Sequence, residues 1–235
     1  MDLDGDGVLD VVNGRYTPSA VYWFRGLGDG KGFAPREELL AGDKRWSMST
    51  TNAADLDGDG LVDLIIGDTK GTVWWSRNEG SATAPKFTER KPLRTVDGDM
   101  KVSHKSDPIA VDWDGDGLLD VLVGDECTDV AFFKGRAGDP AEGGPVFAQG
   151  VSLLSGLTVD PEHGYRQAKE KIEGLRAIPG YRIRLATADW NNDGELDLLI
   201  GNCVEGEREE GQRRGRTTGH VWVLLRKPGM SAPVK

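Results

Sequence analysis

Asp55-Leu56-Asp57-Gly58-Asp59-Gly60-Leu61-Val62-Asp63 decides how this chain is read. The same nine-residue pattern stands at Asp2 to Asp10 (DLDGDGVLD), Asp112 to Asp120 (DWDGDGLLD) and Asp189 to Asp197 (DWNNDGELD). Four copies make a repeat protein, in which each unit needs a neighbour to bury its apolar face. The copies begin at residues 2, 55, 112 and 189, so the period lies in the fifties and lengthens before the fourth. Such a period fits a four-stranded blade rather than a helical repeat.

Acids at positions 1, 3 and 5 of a tight loop point at one centre. A glycine at position 6 (Gly7, Gly60, Gly117, Gly194) allows the sharp turn, and the carbonyl at position 7 faces the same centre. Hard oxygen ligands at this spacing suit Ca2+. The candidate ligands are Asp2, Asp4, Asp6, Val8 (carbonyl) and Asp10; Asp55, Asp57, Asp59, Leu61 (carbonyl) and Asp63; Asp112, Asp114, Asp116, Leu118 (carbonyl) and Asp120; and Asp189, Asn191, Asp193, Glu195 (carbonyl) and Asp197. An EF-hand would place a glutamate at position 12, where this chain has Asn13, Ile66, Val123 and Ile200. Position 9 is instead an aspartate leading into an apolar run, so the loop opens a strand. The competing reading is a metal-free Asp/Gly turn held by side-chain hydrogen bonds. Four acids in one small loop repel each other without a cation, which favours metal, one ion per loop. The fourth loop is the weakest, since Asn191 replaces an acid.

The motif D-x-D-G-D-G-x-x-D followed by IGD or VGD (Ile66-Gly67-Asp68, Val123-Gly124-Asp125) resembles the FG-GAP/VCBS repeat family, whose blades also occur in integrin α-subunits. The resemblance runs from Asp2 to about Arg226. It implies one all-β domain over 1–235, a β-propeller of four-stranded antiparallel blades. In such blades each calcium loop joins the first two strands. It implies no single activity, because the family spans adhesion proteins, sugar-binding lectins and some polysaccharide lyases.

The chain carries 33 glycines among 235 residues and a net charge of −10. The loop carboxylates account for that acidity, so it describes metal sites rather than a basic partner. No basic patch interleaved with aromatics points to nucleic acid, and no apolar run is long enough for a membrane span. Calcium sites of this kind fill best outside the cytosol, which predicts an extracellular, periplasmic or cell-surface protein. No signal peptide precedes the first loop, so the chain reads as a piece of a longer exported protein. Cys127 and Cys203 follow the apolar strands of successive repeats; pairing across blades and two unpaired small residues both remain open.

Strands are expected at Val8–Asn13, Val21–Phe24, Phe33–Leu40, Ser47–Ala54, Leu61–Gly67, Thr72–Arg77, Phe87–Leu93, Val102–Val111, Leu118–Gly124, Val130–Lys134, Leu196–Gly201 and His220–Leu225. Trp74-Trp75 and Phe132-Phe133 occupy matching positions and are assigned to packing between sheets. Asp160–Ala177 predicts an inserted helix, capped by Asp160 and Pro161. Cys203–Thr218 predicts a solvated loop. The first repeat has no leading strand and the last no outer one. A piece of a larger propeller is favoured over a small closed ring or two chains completing one ring.

His104, His163 and His220 lack metal spacing, and there is no nucleophile elbow or phosphate loop. Aligned on the first loop acid, Ser47, His104 and Tyr181 are equivalent, as are Met48, Lys105 and Arg182. These lie on the strand entering each loop, which in the family lines the central channel. His104, Lys105, Tyr181, Arg182 and Arg184 are therefore the candidate ligand residues, against a plain solvated lining. The preferred function is a non-catalytic, calcium-binding interaction module for carbohydrate or a cell-surface protein. The alternative is a lyase, or a fragment of one, acting on acidic polysaccharide.

Overall fold

The computed structural model describes residues 1–44, 47, 50–126, 129–137, 144–153, 181–205 and 217–227. Among these there is no helix; the structure is a run of sheets, antiparallel except for one short parallel pair. The inserted helix expected at 160–177 and Cys127 lie outside the described residues.

The first sheet holds β1 (Val11–Gly14), β2 (Ser19–Phe24) and β3 (Glu37–Asp43). The second holds β4 (Thr50–Ala54), β5 (Asp63–Gly67), β6 (Val73–Ser76) and β7 (Lys91–Pro92). A small side sheet follows, in which β8 (Arg94–Thr95) pairs with β9 (Gly98–Asp99) and, in parallel, with β13 (Val146–Phe147). The third blade is β10 (Asp107–Val111), β11 (Asp120–Gly124), β12 (Val130–Phe133) and β14 (Val151–Ser152). The fourth is β15 (Tyr181–Ala188), β16 (Asp197–Glu205) and β17 (Thr217–Leu224). The all-β, blade-like architecture read from the sequence is what the chain adopts. The sheets form an open series, without closing into a ring among the described residues.

The entering strands β4, β10 and β15 face one another, β10 touching both of the others. The second strands β5 and β11 are buried on both faces, as their unbroken apolar runs require, whereas β1 in the first blade is not. In β5, Leu64 and Ile66 pack toward the first blade and Ile65 toward the third. In β12, Phe133 packs toward the second blade and Phe132 toward the fourth. Successive side chains alternate between faces, so the core lies between blades rather than within them. Trp75, Phe132 and Phe133 are all buried, in agreement with the packing role assigned to the aromatic pairs.

Several element boundaries differ from expectation: β3 is shifted to Glu37–Asp43, and β10 starts at Asp107 rather than Val102, so His104 and Lys105 precede the strand instead of lying on it. The outer strand expected over Phe87–Leu93 is only β7, with Phe87 making an isolated bridge to Asn78. The segment after Cys203 continues in strand to Glu205, and β17 starts at Thr217. For the longer β16–β17 hairpin the difference lies at one residue. Asp68 accepts the amides of Lys70 (2.8 Å) and Thr72 (3.1 Å), which turns the chain and ends the hairpin early. The equivalent position in the fourth blade is Asn202, which pairs in the ladder with His220, and the hairpin runs on.

Candidate functional site

The second, third and fourth Asp/Gly loops each join an entering strand to a second strand, and the first leads into β1. In the second loop Asp55 Oδ1 accepts the amides of Gly58 (2.8 Å) and Asp59 (3.1 Å), and its Oδ2 accepts that of Gly60 (2.9 Å). The third loop repeats this on Asp112. In the fourth, Asp189 accepts the amides of Asp193 and Gly194, and in the first, Asp2 accepts those of Asp6 and Gly7. The turn needs a left-handed backbone at position 4 and again at position 6, as at Gly58 (φ 75°) and Gly60 (φ 86°). Asn192 replaces the first of these glycines in the fourth loop at φ 58°, a conformation asparagine tolerates.

This geometry gathers carboxylates. Oxygens of Asp2, Asp4 and Asp6 come within 4.8 Å of one another, as do those of Asp55, Asp57 and Asp59 and those of Asp112, Asp114 and Asp120. A second feature points to a cation. Asp4 Oδ1 and Asp114 Oδ1, both at position 3, are buried and accept no hydrogen bond. A buried carboxylate oxygen without a donor is costly unless a cation meets it. The donor set is all hard oxygen on a flexible turn, which fits Ca2+. Asp2, Asp4, Asp6, Asp55, Asp57, Asp59, Asp112 and Asp114 would hold such an ion.

The aspartates at position 9 have a different environment from the other loop acids. Asp10, Asp63, Asp120 and Asp197 are all buried. One oxygen of each accepts the amide at loop position 2: Leu3 (2.9 Å), Leu56 (3.4 Å), Trp113 (2.9 Å) and Trp190 (3.0 Å). The other accepts an amide from just past the third strand: Gly26 (2.7 Å), Asn78 (2.8 Å), Gly135 (2.7 Å) and Arg226 (2.7 Å). Asp63 also takes the Trp75 indole N–H at 2.9 Å. Burial pushes its carboxyl up to about 6, against the pull of these N–H donors. Position 9 therefore staples each loop to its blade, whatever else it does.

Basic side chains reach back from the third strands. Arg77 Nε lies 2.6 Å from Asp57 Oδ2 and its Nη2 lies 2.8 Å from Asp59 Oδ2. Lys134 pairs with Asp114 and, at 2.7 Å, with Asp116. Hydrogen bonding to Lys134 holds the Asp116 carboxyl below its ordinary value. Arg25 Nε lies 3.1 Å from Asp4 Oδ2. Between the second and third loops runs a cleft of about 670 Å³, walled by residues such as Asp57, Arg77, Lys91, Leu118, Arg136 and Phe147.

The candidate ligand residues lie away from these loops. His104, Lys105 and Arg182 converge on Glu126, whose side chain is only 1% exposed. His104 Nδ1 is 2.9 Å from Oε2, Lys105 Nζ contacts Oε1, and Arg182 Nε is 3.9 Å from Oε1. Lys105 (φ 43°) and Arg182 (φ 61°), at equivalent positions, both take the left-handed backbone that non-glycine residues seldom adopt. Arg184 turns aside to Asp107, at 3.5 Å. Tyr181 begins β15, opposite Cys203. Sequence reasoning missed Glu126 and the three basic residues of the third strands. Glu126 stands next to the VGD motif without being part of it. The basic residues carry a usable signal, because each is the first residue after the third-strand apolar run.

The FG-GAP-like repeat family matches this chain twice, over residues 2–66 and 55–123. Integrin alpha-4 from Xenopus laevis is similar to it, 27% identical over 144 residues. That alignment covers 55% of this chain and 14% of the integrin, so the chain spans a small part of that relative. With two matched repeats tiling more than half its length, each carrying the same loop, staple and strand order, this chain belongs to the FG-GAP-like repeat family.

Proposed function

We propose that the chain is a calcium-stabilised, non-catalytic β-propeller interaction module of an exported or cell-surface protein. One ion sits in each loop, and the face formed by the entering strands meets carbohydrate or a protein partner. The observation that carries the reading is the set of buried, donor-less oxygens on Asp4 and Asp114 inside gathered carboxylates. The likeness to an integrin α-subunit supports an extracellular setting and a partner-binding role. The cations around Glu126 favour an acidic partner there.

When bound, the ion supplies charge neutralisation and fixed loop geometry. The chain's own residues do the rest. Position 1 orders the turn through backbone amides, and position 9 ties it to the third strand. The ligand sets are local to single turns, so the ion's role is structural rather than regulatory. The test is thermal unfolding of one sample with calcium and with chelator. A rise in midpoint of several degrees with calcium is expected. An unchanged midpoint together with no heat of calcium binding up to millimolar concentration would refute the reading.

A further inference from the structure

Arg25, Arg77 and Lys134 occupy one register position. Phe24 pairs with Val11, Ser76 with Leu64 and Phe133 with Val121, so the next residue stands opposite Asp10, Asp63 and Asp120 respectively. Each reaches the position-3 carboxylate of its own loop: Asp4, Asp57 and Asp114. Two different side chains, a guanidinium and an ammonium, do the same work. The fourth blade departs in both respects at once. Leu224 pairs with Leu198, so the matching residue is Leu225, which carries no charge. Its loop has Asn191 at position 3, which carries none either. Arg226, one residue further on, turns to Glu195 (3.5 Å), the Trp113 carbonyl and the Trp113 ring. A basic residue thus stands at this register wherever position 3 is an acid, and is missing where it is not.

We propose that Arg25, Arg77 and Lys134 are tethered counter-cations that compete with the divalent ion for loop carboxylates, Arg25 at position 3 and Arg77 and Lys134 at positions 3 and 5. The inference rests on the calcium reading above. The side chain neutralises the loop when calcium is scarce and keeps the turn folded; calcium binds by displacing it. The tether therefore lowers calcium affinity in the first three loops and buffers the fold against metal loss. The ammonium of Lys134 meets the two acids as a point charge, whereas Arg77 forks across them.

The experiment is calorimetric titration of the whole chain with calcium chloride, with melting in chelator alongside. It compares the wild type with Arg77→Gln and Lys134→Gln, and with Arg94→Gln as control. Arg94 pairs with Asp99, neither of them a loop residue, so its loss changes net charge without touching a tether. Arg77→Gln and Lys134→Gln should each tighten one calcium site about fivefold, the range of a partly exposed ion pair. Each should also lower the midpoint in chelator and widen the calcium-induced rise. Affinity that is unchanged or weaker in both variants overturns the proposal and leaves calcium binding standing. So does an equal gain in Arg94→Gln. No calcium binding by any of the four proteins defeats the calcium reading itself, and the tether proposal with it.

Discussion

Asp63 shows how much one residue can do beyond its motif. From the sequence it is one more loop acid. In the fold it is fully buried and accepts N–H groups from Leu56, Asn78 and Trp75. That role was illegible because two of the donors are backbone amides, which leave no trace in residue identity, and the farther one comes from another strand. The acids at positions 1, 3 and 5 were legible because their spacing is their chemistry. Burial also gives Asp63 a pH signature. Its carboxyl titrates at about 6 in the fold and at 3.8 when free. The folded state therefore holds more protons than the unfolded one between those values. Its contribution to stability is full below the lower value and is lost as pH rises through the upper one. In chelator, unfolding free energy should fall from about pH 4 to about pH 6.5 more steeply in the wild type than in Asp63→Asn. Denaturant melts across that window measure the slopes; parallel slopes would show that Asp63 stays ionised throughout.

At the scale of elements, the IGD and VGD triplets end the second strands for two separate reasons. The aspartate makes the turn, and the glycine lets the next blade approach. A Cβ added at Gly67 would lie 2.0 Å from the Ser106 carbonyl oxygen and 2.5 Å from Thr50 Oγ1. Ser106 is itself fixed, accepting the Thr50 hydroxyl on its carbonyl and the Asp68 amide on its own hydroxyl. At Gly124 the obstacle is the Ile183 side chain, at 2.5 Å, which can move. Gly67→Ala should therefore cost about 3 kcal/mol and Gly124→Ala about 1 kcal/mol. Urea unfolding of the two variants gives the comparison, and equal costs would mean that the second and third blades are free to separate at Ser106. β5 and β11 were readable in advance because burial on both faces leaves an unbroken apolar run. The short outer strands were not, since β7 and β14 are two residues each and none of those residues is fully buried.

At the scale of the whole molecule, stability belongs to the seams between blades. The second and third blades share a large core that includes Ile65, Trp75, Met100, Val121, Phe133 and Phe147. The third and fourth share another, around Ile109, Leu122, Phe132, Ile183 and Ile200. Among the described residues, the first and second share Val21, Leu64 and Ile66 as fully buried members. The sequence shows that blades must stack but not how thick each seam is, because seam thickness depends on which side chains interdigitate across chains of distant residues. In a linear stack, each blade is held by its own packing and by its nearest neighbours. The first blade should therefore open below the global unfolding free energy. Hydrogen exchange should find the amides of β2 less protected than those of β11, although both strands are buried. Leu64→Ala thins the weakest seam and should cost about 2–5 kcal/mol there. If seams are independent, the variant speeds exchange throughout β1, β2 and β3 and leaves β11 and β12 at their wild-type rates. Uniform acceleration across all blades would instead mean that the stack unfolds as one cooperative unit, with the first blade as firmly held as the rest.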